Sequence, residues 1–245
     1  MASEKVLIPG SPMVATPDWR TAARMIDHTL LRSDATTQQV SRLCAEAARF
    51  GFFAVMVNPC NVAQCVSELR ETRVVVGTVV GFPLGATTST AKLAETRDVL
   101  KLGATEVDMV INLGALKSGN RDLVRSEMQS LARYCHANGA RLKAILEMSL
   151  LSTEEKIVAC QLAALAGVDF VKTSTGFAGF GATVGDVQLM RGVVGGQIGV
   201  KAAGGIRNAS DLLNMMDAGA NRVGTSSSVA IVQELGAPAE NQIRE

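Results

Sequence analysis

Apolar positions along this chain fall into two alternating textures. Short runs dense in Val, Ile, Met and Ala are separated by longer Ala- and Leu-rich stretches whose apolar residues recur at helical spacing. The first texture predicts buried β-strands and the second amphipathic α-helices. The strand-like runs are Met25–Leu31, Phe53–Asn58, Val74–Phe82, Glu106–Asn112, Arg141–Glu147, Phe170–Ser174, Gly199–Ala203 and Arg222–Thr225. Gly51, Gly103, Gly139, Gly167 and Gly219 each end a helical stretch just ahead of the next run. That is where a helix-terminating glycine sits in a short αβ loop. Ser152-Thr-Glu-Glu155 and Thr183-Val-Gly-Asp186 read as helix-opening capping boxes, the second with Asp in place of Glu.

Eight strand–helix units in about 220 residues predict an α/β chain folded as a single (β/α)8 TIM barrel. Thr16–Arg24 predicts a short N-terminal helix before the first strand, a candidate plug for the barrel bottom. A doubly wound open sheet is the alternative, but it generally has about five or six strands and carries a nucleotide fingerprint. Neither GxGxxG nor GxxxxGK[ST] is present. The barrel is expected over residues 16–236, with flexible tails at 1–15 and 237–245.

Composition narrows the function. Hydrophobic residues make up 47% of the chain but aromatics only 4%, so small aliphatic side chains must build the core. The net charge is +1, with 24 basic and 23 acidic residues spread without runs. That argues against a nucleic-acid partner and against an anionic membrane surface. The longest largely apolar stretch, Val74 to Ala86, is too short to span a bilayer and is broken by Gly77, Gly81 and Pro83. Five cysteines without CxxC spacing predict free thiols in a reducing compartment. The opening MASEKVLIPGSP lacks a secretory apolar segment, so the expected location is cytoplasmic.

The candidate chemistry begins with two lysines inside strand-like runs, Lys172 in DFVKTSTGF and Lys201 in IGVKAAGGI. Burying an unpartnered ammonium costs several kcal/mol. Desolvation and a second nearby cation both push a lysine towards the neutral amine that attacks carbonyls. Strand parity adds two more charges. Asp108 shares a face with Val110 and Asn112, and Lys143 with Ile145 and Glu147. If these faces point inward, the interior holds three lysines and a carboxylate; otherwise the charges form ordinary ion pairs or face the helices.

Glycine-rich turns follow the last three runs: Gly176 after the sixth, Gly204 and Gly205 after the seventh, and Gly224, Ser226 and Ser227 around the end of the eighth. Barrels of this kind bind phosphate at the turns after strands seven and eight. Asp27 and Met56 are candidates for lining the barrel mouth. His28 and His136 do not pair as metal ligands, so no metal is expected. Together these residues point to metal-free imine chemistry on a small phosphorylated carbonyl compound. A barrel isomerase with a carboxylate or His base, and a catalytically silent binding barrel, remain open on these grounds.

The segments IDHTLL (26–31), EVDMVINLGALKSG (106–119), LKAILE (142–147), FVKTSTGF (170–177), VKAAGGIR (200–207) and RVGTSSS (222–228) resemble the deoxyribose-phosphate aldolase family. The resemblance implies a class I aldolase that cleaves 2-deoxy-D-ribose 5-phosphate reversibly to acetaldehyde and D-glyceraldehyde 3-phosphate. It implies no cofactor and no metal, the covalent imine being carried by a lysine. Motif by motif, it makes Lys172 the Schiff-base nucleophile, Lys201 the neighbour that lowers its pKa, and Asp108 the proton-relay carboxylate. Gly176, Gly204, Gly205, Gly224, Ser226 and Ser227 match phosphate-binding segments, and Asp27 and Lys143 match polar residues near the reacting centre. The expected partner is a small sugar phosphate, with a homo-oligomer, dimer or tetramer, unsurprising for such an enzyme.

Three positions depart from the family. Phe177 stands where one branch has a phosphate-binding lysine, and Met56 where many members have cysteine. Some relatives use a C-terminal tyrosine at the active site, whereas the single tyrosine here is Tyr134.

Overall fold

The computed structural model describes residues 17–239. In chain order the elements are α1 (Trp19–Ala23), β1 (Ile26–Leu30), α2 (Thr37–Phe50), β2 (Ala54–Val57), α3 (Val62–Leu69), β3 (Val75–Val80), α4 (Ser89–Lys101), β4 (Glu106–Val110), α5 (Leu113–Lys117) and α6 (Arg121–Ala137). They continue as β5 (Arg141–Ile145), α7 (Thr153–Ala166), β6 (Phe170–Lys172), α8 (Val184–Val194), β7 (Gly199–Ala203), α9 (Ala209–Asp217), β8 (Arg222–Thr225) and α10 (Ser228–Glu234). Each strand pairs in parallel with the next, and β8 pairs back onto β1 through Asp27 opposite Gly224. The sheet is therefore a closed barrel of eight strands, and closure leaves no strand edge unpaired.

The expected strands are all found, most of them trimmed by a residue or two at the ends. The local reasons are chemical. β6 stops at Lys172 because the Thr173 hydroxyl donates to Ala203 O at 3.1 Å and accepts the Ala203 amide at 3.0 Å, replacing ladder bonds. β5 stops short of Glu147, whose backbone turns to φ 52°. The five glycines that end helical stretches all have positive φ, between 67° and 107°. Ser152 and Glu155 cap α7 reciprocally. At α8 only half a box forms: Thr183 accepts the Asp186 amide, but the shorter Asp186 carboxylate is held by the Thr183 hydroxyl and by Lys156 Nζ at 2.6 Å.

α1 is capped by Asp18, which accepts the Thr21 amide at 2.7 Å, and packs against α10. At the start of β8 the Arg222 guanidinium lies 3.5 Å from the Phe53 ring centroid and 5.2 Å from that of Phe170. Of the expected tails, residues 1–15 and 240–245 lie outside the described residues. Ala237 is buried, and Ala239 O accepts Arg49 Nη2 at 3.2 Å.

Two apolar regions hold this frame. Outward strand residues such as Val55, Met109, Leu142 and Val200 pack on helical Leu43, Met128, Ala163 and Val187 to form a ring-shaped core. Each such fully buried aliphatic side chain contributes about 1.5–3 kcal/mol. A smaller cluster of Leu31, Met56 and Val79, with Phe82 against it, is separate from that ring. The histidines belong to packing. His28 is buried between Ser228 Oγ at 2.9 Å and Glu46 Oε2 at 2.8 Å, and His136 bonds Asp169 at the surface. Among the described residues no helix is long and apolar enough to cross a membrane.

Candidate active site

Alternation along the strands sends one face of each into the barrel. On that face β1 carries Asp27, β4 carries Glu106 and Asp108, β5 carries Lys143, β6 carries Lys172, β7 carries Lys201 and β8 carries Arg222. All seven are nearly inaccessible to solvent. Register explains their meeting: Asp108 lies opposite Lys143, Lys172 opposite Lys201, and Lys201 opposite Arg222.

Asp108 is the hub. Its Oδ1 accepts Lys143 Nζ at 2.8 Å, and its Oδ2 accepts both Lys172 Nζ and Lys201 Nζ at 2.9 Å. Lys201 Nζ also donates to Asp27 Oδ2 at 2.5 Å. Lys143 Nζ lies 2.6 Å from Glu106 Oε2. Arg222 Nη1 closes the network, donating to Asp27 Oδ1 at 2.8 Å and Glu106 Oε2 at 3.1 Å.

The network sets protonation. Burial opposes charge on Asp108, yet Lys143, Lys201 and Lys172 hold its carboxyl well below the usual range. Burial likewise opposes charge on Asp27, which Lys201, Arg222 and Lys143 keep down at about 2. Lys143 is raised above an ordinary lysine, because Asp108, Glu106 and Asp27 outweigh its burial. Lys172 goes the other way. Burial, joined by the Lys201 and Lys143 charges, brings it down to about 8 although Asp108 pulls upward.

Above this network lies a cavity of about 330 Å³. Lys172 forms part of its wall, together with Gly176, Gly204, Gly205, Gly224, Ser226 and Ser227. The turns are stitched together: Thr225 Oγ1 donates to Ile206 O at 2.7 Å and accepts the Ser227 amide at 2.9 Å. Gly204 has φ 86°, and its carbonyl is approached so closely that a Cβ on Gly181 would sit 2.1 Å from it. At Gly224 a Cβ would come within 3.0 Å of Lys201 Cε, so glycine leaves that lysine its room.

The structure thus brings Lys172 and the six expected turn residues to one cavity, with Asp108, Lys201, Lys143 and Asp27 beneath it. Met56 does not reach the cavity; it packs with Leu31 and Val79. Glu106 and Arg222 were not anticipated as members of the network. Parity could have found them, since they share faces with Asp108 and Gly224, but each opens its strand and reads as an edge charge. Thr29, Arg32, Thr175 and Arg207 also line the cavity. Thr175 is fixed by Glu147, whose carboxylate accepts its amide at 3.1 Å and its hydroxyl at 2.5 Å. Among the described residues no group of three or more His, Cys, Asp or Glu is arranged to hold a metal ion. The interior carboxylates are engaged by ammonium and guanidinium groups.

Residues 21–233 match the model of the DeoC/LacD family aldolases. The chain belongs to this aldolase family. It is 51% identical over 213 residues to a deoxyribose-phosphate aldolase of Staphylococcus epidermidis, covering 87% of this chain and 96% of that one. It is 53% identical over 213 residues to the deoxyribose-phosphate aldolase of Thermococcus gammatolerans, covering 86% and 95%. Among solved structures, the tetrameric deoxyribose phosphate aldolase from Aeropyrum pernix superposes on this aldolase with a TM-score of 0.83 at 33% identity, covering 88% and 91% of the two chains.

Proposed function

We propose that this chain is a class I aldolase that cleaves 2-deoxy-D-ribose 5-phosphate reversibly to acetaldehyde and D-glyceraldehyde 3-phosphate, with Lys172 as its imine-forming residue. The observation that carries the reading is a buried lysine brought down to about 8, opening onto a cavity walled by glycine and serine turns. The neutral amine of Lys172 attacks the C1 aldehyde of the open-chain sugar, and loss of water leaves a protonated imine. That cation is the electron sink for breaking the C2–C3 bond, so the reaction needs no metal. As the bond breaks, the C3 hydroxyl proton passes to a relay formed by Asp108 and Lys201 with solvent, releasing D-glyceraldehyde 3-phosphate. The remaining enamine is protonated at C2, and hydrolysis of the imine returns Lys172 and acetaldehyde.

Gly176, Gly204, Gly205, Gly224, Ser226 and Ser227 take the phosphate through backbone amides and hydroxyls. Asp27 and Lys143 hold Lys201 and Asp108 in register. The Staphylococcus epidermidis and Thermococcus gammatolerans relatives support the substrate assignment. We further propose a homo-oligomer of two or four copies, the tetramer being that of the Aeropyrum pernix relative. The free cysteines fit a cytoplasmic setting.

Borohydride trapping with deoxyribose 5-phosphate, followed by peptide mass spectrometry, tests the reading. A reduced adduct on Lys172 is expected. An adduct on Lys201 or Lys143 reassigns the nucleophile, and no adduct in folded protein removes the imine mechanism.

A further inference from the structure

We propose that Arg222 and Glu106, which do not line the cavity, are positioning residues that set the protonation of Lys172 through the charge balance of the barrel interior. The inference rests on Lys172 being the imine-forming lysine.

Among the described residues the ion-paired interior contains four cations, Lys143, Lys172, Lys201 and Arg222, and three carboxylates, Asp27, Glu106 and Asp108. With every group ionised, one positive charge is in excess among side chains that are nearly inaccessible to solvent. Low dielectric makes that excess costly, and the least expensive remedy is for one cation to give up its proton.

Contacts decide which one. A guanidinium does not deprotonate in proteins, and Arg222 is fixed by two carboxylates and by Phe53. Lys143 has Glu106 at 2.6 Å, Asp108 at 2.8 Å and Asp27 at 3.9 Å. Lys201 has Asp27 and Asp108. Among the described residues Lys172 has only Asp108, through an oxygen it shares with Lys201. It therefore carries the excess and is the first of the four to give up its proton as the pH rises.

Arg222 and Glu106 create this condition from the far end of the barrel. Arg222 is the cation that makes the count uneven. It takes Oδ1 of Asp27, leaving Oδ2 for Lys201. Glu106 neutralises part of the charge around Lys143, and its Oε2 serves Lys143 and Arg222 together. Other charges lie near: Arg32 and Arg207 line the same cavity as Lys172, and both are exposed, so solvent screens them. Arg141 on β5 is 3.8 Å from Glu106 but 56% exposed, so solvent screens it. Glu147, beyond the end of β5, is buried and accepts from Thr175, but among the described residues it forms no ion pair with any of the four cations and so lies outside the paired set.

The two residues have opposite expected effects, which separates this role from mere support of the fold. Arg222→Met removes the excess, so Lys172 holds its proton to higher pH. Glu106→Gln enlarges the excess, so Lys172 loses its proton at lower pH. The measurement is the pH dependence of kcat/KM for deoxyribose 5-phosphate cleavage, with the wild-type adduct on Lys172 first located by borohydride trapping.

The midpoint should move up by about one pH unit in Arg222→Met and down by about one in Glu106→Gln. It should return close to the wild-type value in the double variant and stay there in Arg222→Lys. Midpoints that do not move, or that move in the same direction, overturn the proposal. A merely structural role lowers amplitude and melting temperature without moving the midpoint. If Arg222→Met does not fold, the direction in the near-isosteric Glu106→Gln decides alone. Failure to trap Lys172 in the wild type defeats the underlying mechanism instead, a distinguishable result.

Discussion

Lys172 and Lys201 face each other across the β6–β7 ladder, and both donate to the same oxygen, Asp108 Oδ2, at 2.9 Å. One carboxylate oxygen holds two ammonium groups poorly, and among the described residues only Lys201 has a second acceptor, in Asp27. The pair is thus unequal. Lys201 has two carboxylate partners, while Lys172 is the lysine that its surroundings bring down to about 8 and the one in the cavity wall.

Lys172→Arg tests that asymmetry directly. Arginine preserves length and charge but does not lose its proton or form an imine. Turnover of deoxyribose 5-phosphate should fall at least about a thousandfold and borohydride labelling should vanish, with the far-ultraviolet dichroism of the folded barrel retained. Substantial residual turnover would remove Lys172 from the mechanism.

The pH profile follows from the same group. Lys172 sits at about 8, below an ordinary lysine, so the reactive amine is the minor form at neutral pH. The rate of imine formation should rise about tenfold per pH unit below that value and level off above it. Lys201→Met removes a neighbouring charge that pushes Lys172 down, so the rise should shift to higher pH. A profile that moves downward, or not at all, would mean that Lys201 does not tune the nucleophile.

Much of the barrel is legible in the sequence because its signals are local. Strand-forming runs, helix-ending glycines and the Ser152 cap each follow from a few adjacent residues. Parity placed Lys143 and Asp108 on candidate inward faces, and the order of strands brought Lys172 beside Lys201. The hidden part depends on three-dimensional closure. Glu106 and Arg222 are separated by 116 positions yet meet at 3.1 Å, and nothing in either local segment signals the other. Met56 shows the reverse: its place near the end of the second run made it a candidate for the mouth, but its side chain lies against Gly77, in space that a Cβ there would enter at 2.3 Å.

Acid should unfold the protein through its interior carboxylates. Asp27 titrates near 2 in the folded state against 3.8 for the unperturbed group, so it releases its proton more readily when folded. Its contribution is fully present above the unfolded value and is lost as pH falls from about 4 to about 2. Asp108, also lowered, adds to the same trend. Urea melts between pH 2 and 6 should show stability falling across that window. Asp27→Asn should flatten its part of the dependence. At neutral pH it should cost about 3–5 kcal/mol, because Lys201 and Arg222 each lose a charged partner. An unchanged acid limb in that variant would place the sensitivity elsewhere.

Met56 bears on tolerance of the acetaldehyde this chemistry handles. Its side chain is 1% exposed and packs with Leu31, itself part of the cavity wall, and with Val79 and Phe82. Concentrated acetaldehyde condenses with itself to an enal, which adds to thiolates but not to a thioether. Met56→Cys puts a thiol beside the cavity wall and leaves a gap that costs about 1–3 kcal/mol of stability. The variant should lose activity in concentrated acetaldehyde faster than the wild type and gain an adduct of the enal's mass on the introduced thiol. Melting both proteins without aldehyde separates this from the packing loss. If the two proteins inactivate at the same rate in acetaldehyde, the thioether is not what protects the site, and attack on lysines becomes the route to examine.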